Sequence, residues 1–561
     1  MLWVRSRVRA PMRAQASAAS VPACPPPTTM TSCVDANRLA WLIFLTAVAY
    51  ARRPRGTGIV CNRCRKSRMP VTLRAPGAAV LLALGLPAGS ATPPPAALEL
   101  TPCEIEHPLL HTVVAAECGV LTVAENPHVA GGRQIGLAVA RVPAVSRRKE
   151  PDPLFVLAGG PGQAASEFYA TVAPALARIR RERDIVLVDQ RGTGRSNRLG
   201  CAEGEELLYR AGQAEIAAAT RGCLGDLGAR AEVSWYTTSV AVQDLERVRA
   251  ALGYERINLY GTSYGTRVAQ HYLRRFPERV RAVILDGVVP APLALGPEVA
   301  LDAERSLLDI LARCAAQPPC RSRFGDPAQA YRSVRSALAR RAVPVSVSDP
   351  STGEPRRFDF TAEHLATVLR LASYSAEYAA LLPLLLGEAA SRADYAPLAA
   401  QFLLVERAYA GAVATGMHDS VVCTEDVPFY RVSARERTRL ADTFLGTAQL
   451  DGLETVCRIW PHGAIDPDFH APLTSEVPAL LLSGGDDPVT PPAFAALAAR
   501  GFANGLSVVL EGFGHGALTA PCLDRVMAQF LARASVAGLD VACTRAARPM
   551  PFFTSVNGPA P

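Results

Sequence analysis

Ile257-Asn258-Leu259-Tyr260-Gly261-Thr262-Ser263-Tyr264-Gly265 is the segment from which the architecture of this chain can be read. An apolar run leads into a G-x-S-x-G turn, and an amphipathic segment (267–276) follows. A strand, a sharp glycine-flanked turn and a helix form the context in which a serine becomes a nucleophile. The glycines keep Cβ atoms out of a strained turn, and the helix N-terminus directs N–H groups toward developing negative charge. Ser263 is therefore the first candidate for a catalytic side chain.

The composition is that of a globular chain, with 49% hydrophobic and 20% charged residues. Its 561 residues suffice for two to four domains, or for one large domain with an insertion. The net charge of +8 comes from the start of the chain, because the first 74 residues contain 13 Lys and Arg residues and one acid. The remainder is mildly acidic, so we expect no nucleic-acid partner.

Lysine is almost absent, since Lys66 and Lys149 are the only two in the sequence. This nearly excludes the functions that need a P-loop lysine, a Schiff-base lysine or a Ser-Lys pair. The loop after Tyr260 also lacks the G-x-G-x-x-G pattern of dinucleotide-binding domains. We expect neither a metal nor a cofactor.

Residues 69–91 have the features of a secretory signal peptide: Arg74, an apolar core (78–86) and small residues that place cleavage after Ala91. Residues 1–68 are Arg-rich and patternless, which indicates a leader from a start codon assigned too far upstream. The apolar run 39–51 is short for a membrane span. We therefore expect a secreted or periplasmic protein without a stable membrane anchor.

Ten cysteines follow Ala91, an even number that falls into close sequential pairs. An oxidising compartment makes disulfides reasonable, although connectivity cannot be deduced from sequence. Buried free thiols are the alternative. Our hypothesis is sequential pairing: Cys103–Cys118, Cys201–Cys223, Cys314–Cys320, Cys423–Cys457 and Cys522–Cys543.

Short apolar runs alternate with helical patterns, which predicts an α/β fold with a mainly parallel, doubly wound sheet. The predicted strands are 120–123, 136–142, 154–157, 185–188, 257–260, 283–285, 479–482 and 508–510. The first two are expected to form an antiparallel hairpin. From 290 to 472 the strand signal stops, and helices are predicted at 298–314, 326–341, 361–372 and 378–390. We expect this segment to be a helical cap inserted between two parts of the core, 92–289 and 473–561.

A nucleophilic serine needs a base and an acid that orients the base. The predicted base is His515, which follows the last strand in a glycine-rich loop. The predicted acid is Asp487, after the preceding strand, with Asp486 and Asp286 as rivals. The chain order Ser, Asp, His matches the α/β-hydrolase pattern.

The third requirement is an oxyanion hole. The Gly-rich segment 158–162, after the strand at 154–157, is the candidate loop. We expect one donor to be the backbone N–H of Tyr264 and the second that of Gly160. The alternative is a simple turn, because G-G-P-G favours turns in any chain.

Six motifs in fixed order resemble the secreted tripeptidyl-aminopeptidase branch of the proline-iminopeptidase-like α/β hydrolases, from about Cys103 to Phe553. One departure is Ala158, where the family often has His. The motifs are Gly159-Gly160-Pro161-Gly162, Asp189-Gln190-Arg191-Gly192-Thr193-Gly194-Arg195-Ser196, Gly261-Thr262-Ser263-Tyr264-Gly265-Thr266, Leu285-Asp286-Gly287-Val288-Val289, Asp487-Pro488-Val489-Thr490-Pro491-Pro492 and Gly514-His515-Gly516.

The resemblance implies an α/β-hydrolase fold and an exopeptidase that removes short units from free peptide N-termini, with Ser263, Asp487 and His515 at the triad positions. It also implies acidic cap residues that bind the substrate ammonium group. Glu425 and Asp426 are the predicted pair, and a solvated acidic turn is the alternative. An esterase acting on small or hydrophobic esters, or an inactive binding module, would fit the same triad motif.

Overall fold

The computed structural model describes residues 98–110, 112–202, 211–409 and 411–559. Within these ranges the strands are β1 (Thr101–Glu106), β2 (Val113–Ala124), β3 (Gln134–Val142), β4 (Leu154–Leu157), β5 (Ile185–Val188), β6 (Ile257–Thr262), β7 (Val280–Asp286), β8 (Val343–Ser348), β9 (Pro355–Phe360), β10 (Ala479–Gly484), β11 (Gly505–Leu510), β12 (Phe553–Ser555) and β13 (Gly558–Pro559).

The α-helices fall into three groups along the chain. Those before residue 290 are α1 (Ala165–Val172), α2 (Ala177–Arg180), α3 (Gln213–Gly228), α4 (Thr238–Ala251) and α5 (Tyr264–Arg275). Those between β7 and β10 are α6 (Val299–Ala316), α7 (Pro318–Phe324), α8 (Pro327–Arg340), α9 (Ala362–Ser373), α10 (Ala376–Ala379), α11 (Leu382–Arg392), α12 (Ala396–Tyr409), α13 (Thr415–Glu425), α14 (Ala434–Ala441) and α15 (Ala448–Cys457). The last group is α16 (Pro492–Ala499), α17 (Leu523–Arg533) and α18 (Ala542–Ala546).

One nine-stranded sheet organises the chain, in the order β1-β2-β3-β5-β4-β6-β7-β10-β11. Six neighbouring strands of this sheet pair in parallel: β5, β4, β6, β7, β10 and β11. The strands from β1 to β3 pair antiparallel, and β3 is antiparallel to β5. The predicted hairpin (β2 and β3) and the mainly parallel sheet are confirmed. The sequence analysis missed β1, which adds an antiparallel edge strand.

The parallel strands are buried on both faces because their side chains alternate between two apolar clusters. Phe155 and Leu157 of β4 join one cluster, which contains side chains of α4, α5 and α16. Leu154 and Val156 join the other, which contains side chains of α1 and α17. A doubly wound sheet follows from this alternation, since helices must cover each apolar face.

The segment between β7 and β10 is less uniform than predicted. It contains a β8–β9 hairpin, so the expectation that strands stop at residue 290 was wrong. The predicted helix 378–390 is also wrong in extent, because the chain breaks into α10 and α11, with Pro383 in the first turn of α11. Side chains of α6, α8, α9, α11 and α12 build a separate apolar core, whereas α13 and α15 pack into the sheet.

The five predicted disulfides are confirmed: Cys103–Cys118, Cys201–Cys223, Cys314–Cys320, Cys423–Cys457 and Cys522–Cys543. The first joins the edge strand β1 to its neighbour β2, and the fourth joins α13 to α15. Five disulfides indicate an oxidising compartment.

The predicted leader (1–68), the signal peptide (69–91) and the cleavage after Ala91 lie outside the described residues. Among the helices that the structure does describe, none combines the length and the apolar character that crossing a bilayer requires.

We expect the Cys423–Cys457 bond to be worth more stability than Cys314–Cys320, because it closes a 34-residue separation rather than one of six. Removing each pair by double substitution to Ala should lower the free energy of unfolding by about 4 and about 2 kcal/mol respectively. Chemical denaturation of the oxidised variants measures both losses. Equal losses, or peptide mapping that finds these cysteines as free thiols, would contradict the expectation.

Candidate active site

The predicted nucleophile lies in a strained turn between β6 and α5. Ser263 has φ 54° and ψ −126°, a conformation that costs free energy for any residue with a Cβ. A Cβ on Gly261 would lie 2.3 Å from the carbonyl oxygen of Gly265, and one on Gly265 would lie 2.3 Å from that of Leu157. Both glycines are therefore required by close backbone approach. The turn places Ser263 between the end of β6 and the first residue of α5, at the carboxyl end of the sheet.

Hydrogen bonds from neighbouring elements hold this turn. The backbone N–H of Ser263 donates to the carbonyl of Asp286 at the end of β7 (2.9 Å). The carbonyl of Ser263 accepts from the Thr266 hydroxyl (2.6 Å), which itself accepts from the N–H of Val289 (2.9 Å). The turn is thus bonded on both sides to the chain that leaves β7.

Asp487 and His515 are brought together across neighbouring strands. Nδ1 of His515 lies 2.9 Å from Oδ2 of Asp487, whose other oxygen accepts the N–H groups of Val489 and Thr490 (both 2.8 Å). The Thr490 hydroxyl donates to Oδ2 of Asp487 (2.8 Å). Asp487 is fully buried, and the His515 side chain is 11% exposed. This geometry fixes the ring and leaves Nε2 free of the Asp487 contact.

The pair is electrostatically coupled. Burial disfavours the charged imidazolium, but the charge of Asp487 and its hydrogen bond outweigh burial and raise the pKa of His515 above 6.5. Burial likewise opposes ionisation of Asp487, yet His515 and the N–H donors lower the pKa of that carboxyl below 3.8. An orienting acid that stays ionised next to a base with a raised pKa is the arrangement that general-base chemistry needs.

Ser263 lies in a different turn from Asp487 and His515. No hydrogen bond joins its hydroxyl to His515 in the described part of the chain, and in unliganded sites such bonds are often long. The two loops still meet, because a Cβ on Gly516 would lie 3.9 Å from the Thr262 hydroxyl. The structure therefore brings the three predicted residues to one edge of the sheet, while their catalytic roles stay predictions.

The two rival acids have other partners. Asp486 pairs with Arg313 (2.9 Å), and its carbonyl accepts from the Ser306 hydroxyl (2.5 Å), so it anchors α6. Asp286 accepts from the Tyr260 hydroxyl and from two backbone N–H groups beyond His515. Neither is hydrogen-bonded to the imidazole of His515, which favours Asp487 as its acid.

The predicted oxyanion loop lies against the nucleophile. A Cβ on Gly159 would lie 3.1 Å from the Cβ of Ser263, so only glycine fits there without displacement. Gly160 has φ 103°, a left-handed conformation that glycine adopts readily. A Cβ added to Gly160 would meet the backbone N atoms of Gly162 and Gln163. Gly160 and Tyr264 as the donors remain predictions, and among the glycines of the loop it is Gly159 whose added Cβ would meet Ser263.

The predicted ammonium-binding acids are enclosed by protein groups. Both carboxylate oxygens of Asp426 accept hydrogen bonds from Arg267 (3.0 and 2.8 Å), and the side chains of both residues are buried. Glu425 accepts from the N–H and the hydroxyl of Thr238 (2.7 and 2.8 Å), and burial raises the pKa of Glu425 to about 7. Each carboxylate oxygen therefore already accepts a hydrogen bond within the protein, which gives the pair a structural part, and ammonium binding by Glu425 and Asp426 stays a prediction.

Glu425 is nevertheless linked to the nucleophile turn. The Thr238 hydroxyl that it binds lies 2.6 Å from the Tyr264 hydroxyl, which also accepts from the Gln190 amide (2.9 Å). This chain of bonds fixes the ring of the residue after Ser263.

The sequence analysis missed two groups from the inserted segment. Asp302 on α6 is partly buried, and burial together with Glu298 and Asp487 raises its pKa to about 6. Its side chain is 18% exposed. Tyr374, just after α9, packs edge-on against His515 with ring centroids 5.1 Å apart. No local motif distinguishes either residue, since both reach the site through tertiary packing.

Comparisons with known families support the fold. Residues 152–341 match the family model described as alpha/beta hydrolase fold, and residues 442–543 match the one described as TAP-like protein. The two matches cover the nucleophile turn and the segment containing Asp487 and His515.

Three relatives with assigned names match the chain. The serine protease Hip1 of Mycobacterium tuberculosis (strain ATCC 25618 / H37Rv) is 31% identical over 49% of this chain and 56% of that protein. The tripeptidyl aminopeptidase of Streptomyces lividans is 30% identical over 31% and 35%. Carboxylesterase B of Mycobacterium tuberculosis (strain CDC 1551 / Oshkosh) is 28% identical over 67% and 76%. The chain thus spans little more than half the length of Hip1.

Substituting Asp487→Asn should lower the pKa of His515 below its ordinary value. The carboxylate stabilises the imidazolium, and without it burial, which disfavours the charged ring, dominates. The remaining charged groups that act on His515 are Asp286 and Arg370, of opposite sign. Histidine NMR titration measures the shift.

Asp486→Asn is the matched control for that titration, because the carboxylate of Asp486 is paired with Arg313 instead. It should leave the His515 titration close to wild type. A larger shift in this variant than in Asp487→Asn would reverse the assignment of the acid.

Proposed function

The chain belongs to the α/β-hydrolase superfamily, in its TAP-like branch, and from this premise we propose that it is a serine exopeptidase that releases short units from free peptide N-termini. The observation that carries the proposal is the buried Asp487–His515 pair beside the strained Ser263 turn. A buried acid, a base oriented by that acid and a half-buried serine at the carboxyl end of the sheet form the arrangement of acyl-transfer enzymes.

In the proposed reaction the Ser263 hydroxyl attacks the substrate carbonyl, and His515 accepts its proton. The tetrahedral oxyanion is stabilised by the backbone N–H groups of Tyr264 and Gly160. His515⁺ then donates that proton to the leaving amine as the C–N bond breaks, which leaves an acyl-enzyme on Ser263. Water then attacks the acyl carbonyl as His515 accepts its proton, and the ester bond to Ser263 breaks as His515 gives that proton back to the Ser263 oxygen, which releases the acyl unit as a free acid. Asp487 stabilises the imidazolium in both steps.

A peptide substrate is supported by the TAP-like match and by the peptidase names of two relatives. Recognition of a free N-terminus requires an anion near the nucleophile to meet the ammonium group. Asp302 is a further candidate beside Glu425 and Asp426, because its side chain is partly exposed and its charge interacts with that of Asp487, although it also pairs with Arg305 (3.2 Å).

The second candidate function is hydrolysis of carboxylic esters, which the likeness to Carboxylesterase B favours. The same triad serves esters and amides, so the catalytic groups do not separate the two. The five disulfides support a secreted or periplasmic location for either activity.

Substituting Ser263→Ala should reduce kcat by several orders of magnitude, because the acyl-enzyme cannot form. Turnover of an aminoacyl or peptidyl coumarin and labelling by a fluorophosphonate probe measure the loss. Thermal unfolding close to that of wild type is the control for folding. Undiminished turnover in the variant would rule out Ser263 as the nucleophile.

Peptides with a free N-terminus should be cleaved, and their N-acetylated forms should not, because acetylation removes the charge that the site must bind. In the Asp302→Asn variant, KM for the free peptide should rise while kcat/KM for a nitrophenyl ester stays near wild type. Mass spectrometry of the digests and steady-state kinetics measure both effects. Turnover of the ester alone, with neither peptide cleaved, would favour the esterase instead.

A further inference from the structure

The side chain of Asp286 is a buried carboxylate that the proposed mechanism leaves without a role. It ends β7, is fully buried, and accepts three hydrogen bonds. The Tyr260 hydroxyl donates to Oδ2 (2.8 Å), the N–H of Leu518 to the same oxygen (2.9 Å), and the N–H of Ala517 to Oδ1 (2.7 Å). The three donors favour the ionised carboxylate, whereas burial opposes ionisation and raises the pKa of Asp286.

A buried charge without a cationic partner is costly, which makes the choice of partners informative. None of the salt bridges among the described residues includes Asp286. Two of its three bonds go instead to the backbone just beyond His515, at positions 517 and 518. The carboxylate is therefore directed at one loop, the one that holds the predicted base.

The backbone of Asp286 holds the other half of the site. Its carbonyl accepts the N–H of Ser263 (2.9 Å). The next residue, Gly287, has φ 65°, and a Cβ there would lie 3.1 Å from Cε1 of His515. The end of β7 thus touches the nucleophile turn with its main chain, the histidine ring with Gly287, and the histidine loop with its carboxylate.

We propose that Asp286 is a positioning residue that sets the placement of His515 relative to Ser263 by clamping the backbone of the His515 loop. The proposal rests on the proposed serine-hydrolase function and assigns this carboxylate a part separate from that of Asp487. Asp487 binds the ring at Nδ1, whereas Asp286 binds the chain that carries the ring. The negative charge of Asp286 also favours the imidazolium, together with Asp487 and against Arg370.

Asp286→Asn tests the proposal with little change in volume. The amide oxygen can accept one of the two loop N–H groups, while the amide nitrogen faces the other donor. We expect kcat to fall about 100-fold, the loss that a misplaced catalytic group of about 1 Å brings, with KM little changed. The acid limb of the kcat/KM profile should move to lower pH, because a charge that stabilises the imidazolium is lost.

Two control variants separate positioning from general destabilisation. Asp152→Asn removes another buried carboxylate, paired with Arg183 (2.9 Å) just before β4, at the amino ends of the parallel strands and so at the end of the sheet away from Ser263. It should lower thermal stability and leave the acid limb in place. Tyr260→Phe removes one donor to Asp286 and keeps both loop bonds, so its kcat and its acid limb should stay close to wild type.

The joint result of a lower kcat and a displaced acid limb in Asp286→Asn supports the proposal. A wild-type kcat in Asp286→Asn overturns the proposal. A lower kcat with the acid limb at its wild-type pH, the acid-limb result expected for Asp152→Asn, also overturns it. If Asp286→Asn is too unstable to purify, NMR titration of His515 in Tyr260→Phe decides, and a large shift there contradicts the clamp. Failure of the hydrolase function itself would appear separately, as wild-type protein whose Ser263 does not react with a fluorophosphonate.

Discussion

The site depends on one close approach, that of Gly265 to the carbonyl end of β4. A Cβ at this position would lie 2.3 Å from the oxygen of Leu157, so the first turn of α5 can meet β4 only with glycine. This contact forces the chain to reverse sharply after β6, and the reversal gives Ser263 its left-handed φ of 54°. The same contact brings the loop after β4, with Gly159, against the serine. The Ser263 turn and the candidate oxyanion loop are therefore consequences of a single backbone packing constraint.

Parallel pairing then assembles the rest. Because β4, β6, β7, β10 and β11 run in the same direction, their carboxyl ends lie along one edge, and the loops that carry Asp487 and His515 emerge there. The residues are distant in sequence but separated by few strands in space. Hydrogen bonds between the loops, rather than the strands themselves, supply the final alignment. Asp286 is hydrogen-bonded both to the Ser263 turn and to the loop that carries His515.

The sequence predicted the features that arise from local pattern. The buried parallel strands are continuous apolar runs, the glycines around Ser263 reflect the close approach, and the cysteine pairs are near in sequence. The β8–β9 hairpin was missed because its strands are largely exposed and lack the continuous apolar run of the core strands: β8 alternates valine with Pro and Ser, and β9 contains two arginines. Asp302 and Tyr374 were missed because nothing local marks them. Glu425 and Asp426 were named from resemblance, and their enclosure by Thr238 and Arg267 is visible only in three dimensions.

The inserted segment has two unlike parts, and this has an evolutionary consequence. Helices α13 and α15 share the apolar core of the sheet, so substitutions there disturb the sheet that carries the loops of Ser263, Asp487 and His515. Helices α6, α8, α9, α11 and α12 surround a core of their own. Substitutions inside that second core leave the apolar core of the sheet unchanged, although α6 and the residue after α9 also contact Asp486 and His515. A chain divided in this way can acquire new preferences among ligands while its reaction chemistry is inherited unchanged.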